Sequence, residues 1–480
     1  MPQISIIKKS DVQEARRFDA EFFKLEYLEI EEKLDNLKHF YLSKNEVVSG
    51  PFGSTLKSEE YLNEGVYFVR VQDIRQRFFL EKENMVCISE DSNNKIKNSE
   101  LKQGDLVVSK VGNTIGLIAR IDNEMKRANV SENNIGIKLE NYNEEIKYFI
   151  LTFLNSKYGQ NQILRRISGN AQPKLNVFNF TDLKIPILPQ SFQLQIEKIV
   201  KFAYEKQTQS KQLYKQAEET LLKEVDLLPA RRSLGKGGDY KLEHILSFQT
   251  TKKETDEAGR FDAEYFQPKY DEIIKKIENY KNGWNFVKNI VNWKKGVEVG
   301  SETYQQDGMS FGRVSDFSIN GVKDTGKKIS KGLYQELKND YQPKRDDILF
   351  TKDGTIGLSY VVKEEFDLIL SGAFLRLSLK DKYQTFEKEC LSLIFNSIIS
   401  KTQVEKLSGG AIIAHLKPSD FEKFKIPLIN PKIQKQIAEK IQESHKLRKE
   451  SKELLEEAKR RVEEEIEKNN RNSSNNQLKL

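Results

Sequence analysis

The chain is short of the residue types that carry most protein chemistry. It holds two cysteines in 480 residues, Cys87 and Cys390, far apart and each in a hydrophobic stretch. That placement suits buried free thiols better than a disulfide framework. Its four histidines, His39, His244, His415 and His445, fall at no metal-binding spacing, and none stands out as catalytic. No run of about 18 apolar residues occurs, and Met1-Pro2-Gln3 does not open a signal-peptide core, so we expect a soluble, cytoplasmic protein. No Gly-x-x-x-x-Gly-Lys-Ser/Thr phosphate cradle is present, and Gly235-Lys236-Gly237-Gly238 follows no strand. An Asn- or Asp-Pro-Pro-aromatic loop, which holds a flipped base during methylation, is missing too. A magnesium nuclease centre can be assembled on paper from Asp91 with Glu100-Leu101-Lys102. The same tripeptide returns as Glu336-Leu337-Lys338, and both copies read as a turn before a strand rather than as a catalytic centre.

What is present is aromatic and duplicated. The 27 Phe and 18 Tyr supply the apolar surface that offsets ordering entropy, so most of the chain is expected to fold. A length of 480 residues exceeds what one core organises and implies at least two domains. The net charge of +7 permits a polyanionic partner without requiring one.

Internal repeats organise the sequence. Arg17-Phe18-Asp19-Ala20-Glu21-Phe22-Phe23 returns as Arg260-Phe261-Asp262-Ala263-Glu264-Tyr265-Phe266, 243 residues later. Phe68-Val69-Arg70-Val71-Gln72-Asp73-Ile74 returns at the same offset from Phe311 to Phe317. The run from Asp105 to Gly112 matches Asp347 to Gly354 at 242, and Lys184-Ile185-Pro186 matches Lys425-Ile426-Pro427 at 241. Each copy therefore reads as a strand-rich module with short β-branched runs, such as Leu106-Val107-Val108-Ser109, followed by one long helix. Residues 145–155 and 383–396 read as helices inside the modules. The boundaries are module 1 at 1–189, helix 190–228, linker 229–241, module 2 at 242–431, helix 432–468, and a disordered Asn- and Ser-rich tail at 469–480.

The long helices share a heptad seam whose steps alternate four and three. It includes Ile196, Val200, Ser210, Tyr214 and Leu221 in the first helix, and Ile437, Ile441, Arg448, Ser451 and Val462 in the second. A duplicated chain tends to place its halves about a pseudo-two-fold axis. Such an axis predicts antiparallel helices with Ser210 against Ser451, Val200 near Val462, Leu221 near Ile441, and Tyr214 near Arg448. Residues 437–468 carry nine Lys or Arg and ten Asp or Glu, a balanced face unlike a nucleic-acid stripe. Residues 196–225 would span about 45 Å. One turn of B-DNA is about 34–36 Å, so two modules on such a rod suit a split recognition site. The expected fold is α+β, two strand-rich domains in pseudo-two-fold repeat, separated by two long antiparallel coiled-coil spacer helices.

These residues resemble the specificity subunits of type I restriction-modification systems. The likeness is carried by Gly50-Pro51-Phe52-Gly53-Ser54-Thr55-Leu56-Lys57, by residues 68–74, and by Gly104-Asp105 through Asn113-Thr114-Ile115-Gly116. It extends to Lys184-Ile185-Pro186-Ile187-Leu188-Pro189 before a helix, and the second copy repeats the order. In the second copy Val297-Glu298-Val299-Gly300-Ser301 replaces the Gly-Pro-Phe-Gly-Ser opening, so the two modules are expected to read different half-sites. The resemblance implies two target recognition domains that read a bipartite site on double-stranded DNA, with methyltransferase subunits held on the spacers and restriction subunits joining to translocate and cut. It implies a non-catalytic chain that binds no cofactor, with S-adenosylmethionine, ATP and magnesium on the partners. Recognition for a fused methyltransferase-nuclease, or a helical scaffold without DNA affinity, are the alternatives.

For DNA contact the candidates are polar and basic loop residues. They are Lys57, Lys110, Asn113, Thr114, Arg165, Arg166, Asn170, Gln172 and Lys174, with Arg313, Lys352, Thr355, Lys401, His415 and Lys417 in the second copy. Each reads equally as an exposed residue with no ligand. The glycines at 112, 116, 354 and 357 mark either a close approach to DNA or hairpins that need positive φ.

Overall fold

The computed structural model describes residues 5–15, 17–51, 56–82, 85–169, 173–227, 247–322, 325–408 and 415–477. The chain divides into two compact units, Met1–Gln207 with Lys449–Leu480, and Thr208–Arg448. The expected linker at 229–241 lies outside the described residues.

The first unit is built around the strand Leu106–Ser109, buried along its whole length. Alternation explains how one strand serves two cores. Leu106 and Val108 face a core formed with the helix Glu144–Asn155, whereas Val107 faces a second core with Ala119, Ala128 and Val130. This strand is central in a five-stranded sheet ordered Val47–Ser49, Asn134–Ile137, Leu106–Ser109, Ile118–Arg120, Phe78–Phe79. A four-stranded sheet adjoins it, in which Val66–Val69 runs parallel to Arg127–Val130.

The second unit repeats this plan. Ile348–Thr351 is buried throughout, with Ile348 and Phe350 in one core and Leu349 in another. It lies inside a four-stranded sheet ordered Val291–Lys295, Phe374–Leu379, Ile348–Thr351, Ser359–Val361. Met309–Gly312 pairs in parallel with Leu368–Leu370, as its counterpart does in the first unit. The expected helix at 383–396 begins later, at Lys388, and ends at Asn396. Glu336-Leu337-Lys338 lies inside the helix Lys331–Tyr341, whereas Leu101–Lys102 is a strand, so the two tripeptides are not a shared turn.

Two long helices complete the chain, Gln190–Glu224 and Pro431–Gln477, the second opening on a proline whose missing N–H costs nothing there. The second helix continues through 469–477, where composition leads one to expect a disordered tail. Within each unit the helices pack antiparallel. In the first unit the Ser451 hydroxyl donates to the Ala203 carbonyl at 2.7 Å, and Lys206 pairs with Glu450. In the second, the Ser444 hydroxyl donates to the Ser210 carbonyl at 2.7 Å, and Lys440 Nζ reaches Thr220 Oγ1 at 3.3 Å.

This register corrects the expected one by a heptad: Ser210 meets Ser444 and not Ser451, and Tyr214 is carried about two turns from Arg448. A buried hydroxyl needs a hydrogen-bond partner, and in the observed register Ser444 and Ser451 each find a main-chain carbonyl of the other helix while the Ser210 hydroxyl meets that of Ser444 at 3.1 Å. Small side chains at Ala203, Ser210, Ser444 and Ser451 allow that approach. The apolar seam positions follow the cores: Ile196, Val200 and Val462 are buried in the first unit, and Leu221, Ile437 and Ile441 in the second.

Candidate nucleic-acid interface

In each unit the buried central strand delivers a loop to the surface, and a second segment returns beside it. In the first unit the strand leaves at Lys110 into a short turn at Gly112–Thr114. Gly112 (φ +77°) and Gly116 (φ +81°) adopt the left-handed backbone that L side chains resist, so the turn itself requires them. The Thr114 hydroxyl is held inside the turn by Ser109 Oγ at 2.8 Å, which leaves Asn113 exposed at the tip. The returning segment docks through its backbone: Lys174 exchanges hydrogen bonds with Ser168 at 2.9 and 3.1 Å, and the Leu175 N–H donates to the Lys110 carbonyl at 3.0 Å. Lys110, Asn113 and Lys174 are thereby gathered in one place.

The electrostatics there favour an anion. Lys110 is half-buried, and its ammonium donates to the Glu132 carbonyl at 3.2 Å and approaches Ser49 Oγ at 3.4 Å. Burial first, then repulsion from Lys174, hold its pKa below the usual lysine value, with Glu132 opposing. A phosphate placed between two such cations would relieve that repulsion.

The second unit arranges the equivalent loop with other side chains. Gly354 (φ +66°) and Gly357 (φ +89°) shape the turn, and the Thr351 hydroxyl donates to the Thr355 carbonyl at 2.6 Å. The Leu416 N–H donates to the Lys352 carbonyl at 2.8 Å, the counterpart of the Leu175 bond. Here Lys352 is only 2% exposed and pairs with Asp353 at 2.6 Å, while the exposed His415 ring contacts the other oxygen of Asp353. Thr355 and His415 are therefore at the surface, and Lys352 is beneath it.

Other expected contacts lie elsewhere. Arg165 and Arg166 turn inward: with Lys184 they surround the Glu31 carboxylate at 3.1, 3.3 and 2.9 Å, and the two arginine side chains are 11% and 13% exposed. Burial alone would raise the Glu31 pKa, but Arg166, Lys184 and Arg165 together hold it below the ordinary range. Arg165 also lies 4.0 Å over the Phe22 ring. These two residues are structural ties between helices in this fold, which corrects their reading as outward DNA contacts. Arg313 grips Asp316 through Nε and Nη2 at 3.2 and 3.3 Å, as Arg70 grips Asp73, so each closes its own turn. Lys57, Lys401 and Lys417 are exposed. Asn170, Gln172 and residues 52–55 lie outside the described residues.

Phe68, Arg70 and Gln72, noted in the sequence only as part of the repeated 68–74 run, line a cleft of about 250 Å³ in the first unit together with Tyr61 and with Ser131 and Asn133, which no sequence motif singled out. Glu132, whose carbonyl holds Lys110, belongs to the same wall. The available signal was the polar break after Phe68-Val69, repeated as Arg313-Val314-Ser315-Asp316. As for the paper nuclease centre, Glu100 is engaged by Asn93, Lys97 and Arg127. No group of three or more His, Cys, Asp or Glu that could hold a metal occurs among the described residues. Among them, no helix is long and apolar enough to cross a membrane.

The type I restriction modification DNA specificity domain matches the chain twice, over residues 46–219 and 314–459. The two matches cover more than half of the sequence, and the chain belongs to this family, whose role is DNA sequence specificity. In overall structure it is similar to the S subunit of the type I restriction-modification system from M. genitalium, at 14% identity and a TM-score of 0.39, over 91% of this chain and 96% of that one. A similar match is the HsdS subunit from Thermoanaerobacter tengcongensis, at 12% identity and a TM-score of 0.25, over 91% of this chain and 95% of the other. No curated protein matches in sequence.

Proposed function

We propose that the chain reads a bipartite site on double-stranded DNA, one half-site per unit, and directs methyltransferase and restriction subunits to it without chemistry of its own. The observation that carries this reading is the pair of equivalent loops. Both units bring the end of the buried strand and the returning segment together by the same backbone bond, yet they present Lys110, Asn113 and Lys174 in one case and Thr355 and His415 in the other. A common scaffold with unlike tips suits two different words. Lysines that hold phosphates supply affinity and register, while amide, hydroxyl and imidazole groups read base edges. S-adenosylmethionine, ATP and magnesium would act on the partner subunits.

The test is methylome mapping in a host that carries this chain with its co-encoded partners. The expected pattern is methylation within two short words separated by a constant gap, and exchanging residues 110–114 and 168–174 should change only one word. An uninterrupted single word, or a swap that alters both halves alike, would sink the proposal.

A further inference from the structure

Sequence identity between the two copies sorts residues by what they must meet. Positions that read different half-sites are free to diverge, as Lys174 and His415 have. Positions that meet the same thing in both units stay alike. The longest identity, Arg-Phe-Asp-Ala-Glu-aromatic-Phe, is also a repeated geometry. Arg17 Nε binds Asp19 at 2.6 Å and Arg260 Nε binds Asp262 at 2.7 Å. Each aspartate accepts the N–H of the following aromatic residue, Phe22 or Tyr265, at 3.1 Å. Each arginine donates to a main-chain carbonyl of its own unit, Ile167 at 3.2 Å or Leu407 at 2.8 Å. The paired rings Phe22–Phe23 and Tyr265–Phe266 stand edge-on at 5.0 and 4.9 Å.

Those contacts account for the arginine, the aspartate and the last two aromatics as parts of a turn. They leave the phenylalanine between them with no structural task. Phe18 is 87% exposed and Phe261 82%, and these are the two most exposed large aromatic side chains among the described residues. Single exposed apolar residues are ordinary. Two at equivalent positions, each held outward by the same clamp, are not a scatter.

We propose that Phe18 and Phe261 are twin anchors for two copies of one protein partner, each entering an apolar pocket with a mixed-charge rim. Charge decides against DNA as the occupant. Beside Phe18, Arg17 is matched by Asp19 and Lys24 by Glu21; beside Phe261, Arg260 is matched by Asp262 and Lys269 by Glu264. Among the described residues these matched pairs give phosphate little hold, whereas an aromatic anchor ringed by polar groups is the usual form of a protein-binding hot spot. The inference rests on the reading that methyltransferase subunits bind this chain, and those subunits are the partner it assigns.

The full-length chain is co-purified with its co-encoded methyltransferase subunit, copies are counted by native mass spectrometry, and affinities are measured by titration for wild type, F18A, F261A and the double variant. Duplex affinity of each chain alone is measured alongside. We expect two copies on wild type, one site weakened about 30-fold in either single variant, and both weakened in the double variant, with duplex affinity unchanged. Two copies bound at wild-type affinity by the double variant would overturn the inference, as would a loss of duplex affinity with partner binding intact. A wild-type chain that takes up no methyltransferase subunit would overturn the proposed function itself, and this inference with it.

Discussion

The two equivalent loops, at 110–116 and 352–357, share a backbone plan and differ in what they do with one lysine. In the first unit Lys110 is half-buried beside a second cation, Lys174, and its protein contacts are a carbonyl and a hydroxyl. In the second unit the equivalent Lys352 is sealed under the surface against Asp353, which also engages His415. The same residue at the same point of the repeat therefore lies half-buried beside a second cation in one unit and is tied to an acid in the other. Duplication conserved the turn, and the acid at position 353, where the first copy has Val111, changed the lysine's job.

The sharpest way to break this comparison is Lys352→Ala. Removing Lys352, a buried side chain paired with the partly exposed Asp353, is expected to destabilise the second unit by about 3 kcal/mol, read by urea unfolding. Lys110→Ala should cost well under 1 kcal/mol, and equal losses would erase the distinction.

Next in size is Arg165→Ala, at about 2 kcal/mol, because it strips one of three cations from a buried carboxylate. The counterpart Lys406 pairs with the exposed Asp271 and lies over the Tyr265 ring, and should cost less when truncated. Since Arg165 faces inward, the salt dependence of duplex binding should not move; a lower slope would restore it as a phosphate contact.

Acid should separate the units further. His445 packs edge-on against Tyr360 at 5.4 Å, and burial, then repulsion from Lys363 and Arg448, push its pKa down to about 4. Its folded pKa lies below the unfolded value of about 6.5, so the unfolded chain takes the proton first and stability falls as pH drops from about 6.5 toward 4. At pH 5 the loss is about 1–2 kcal/mol. The repeat places Tyr204 at the matching point of the first unit, where there is no imidazole to protonate. Hydrogen exchange at pH 7 and pH 5 should show the second unit loosening first, and His445→Phe should flatten the difference.

The smallest effect is on binding. Lys110→Ala and Lys174→Ala should each lower the slope of log affinity against log salt by about 1, without shifting the unfolding midpoint. An unchanged slope would remove that lysine from the interface.

Much of this was legible beforehand because repetition is a strong signal. Matching strands and matching loops follow once Leu106–Ser109 is aligned with Ile348–Thr351, and alternation alone assigns their two buried faces. Residue type did not reveal which loop cations face outward. Arg165, Arg166 and Lys352 look in sequence like surface contacts, and whether each meets a carboxylate depends on Glu31 and on Asp353 in its folded setting. The helix register was missed for a related reason. Heptads are indistinguishable under a shift of seven residues, and the choice fell to where buried hydroxyls find carbonyls.

By itself the sequence determined the duplication, the strand-rich units, the long helices and the family, since these depend on periodicity and order along the chain. Only tertiary structure decided the heptad in register, the inward turn of the arginines and the unequal fates of Lys110 and Lys352. Those outcomes depend on which charges and hydroxyls are buried together, and burial brings together residues that the chain keeps far apart.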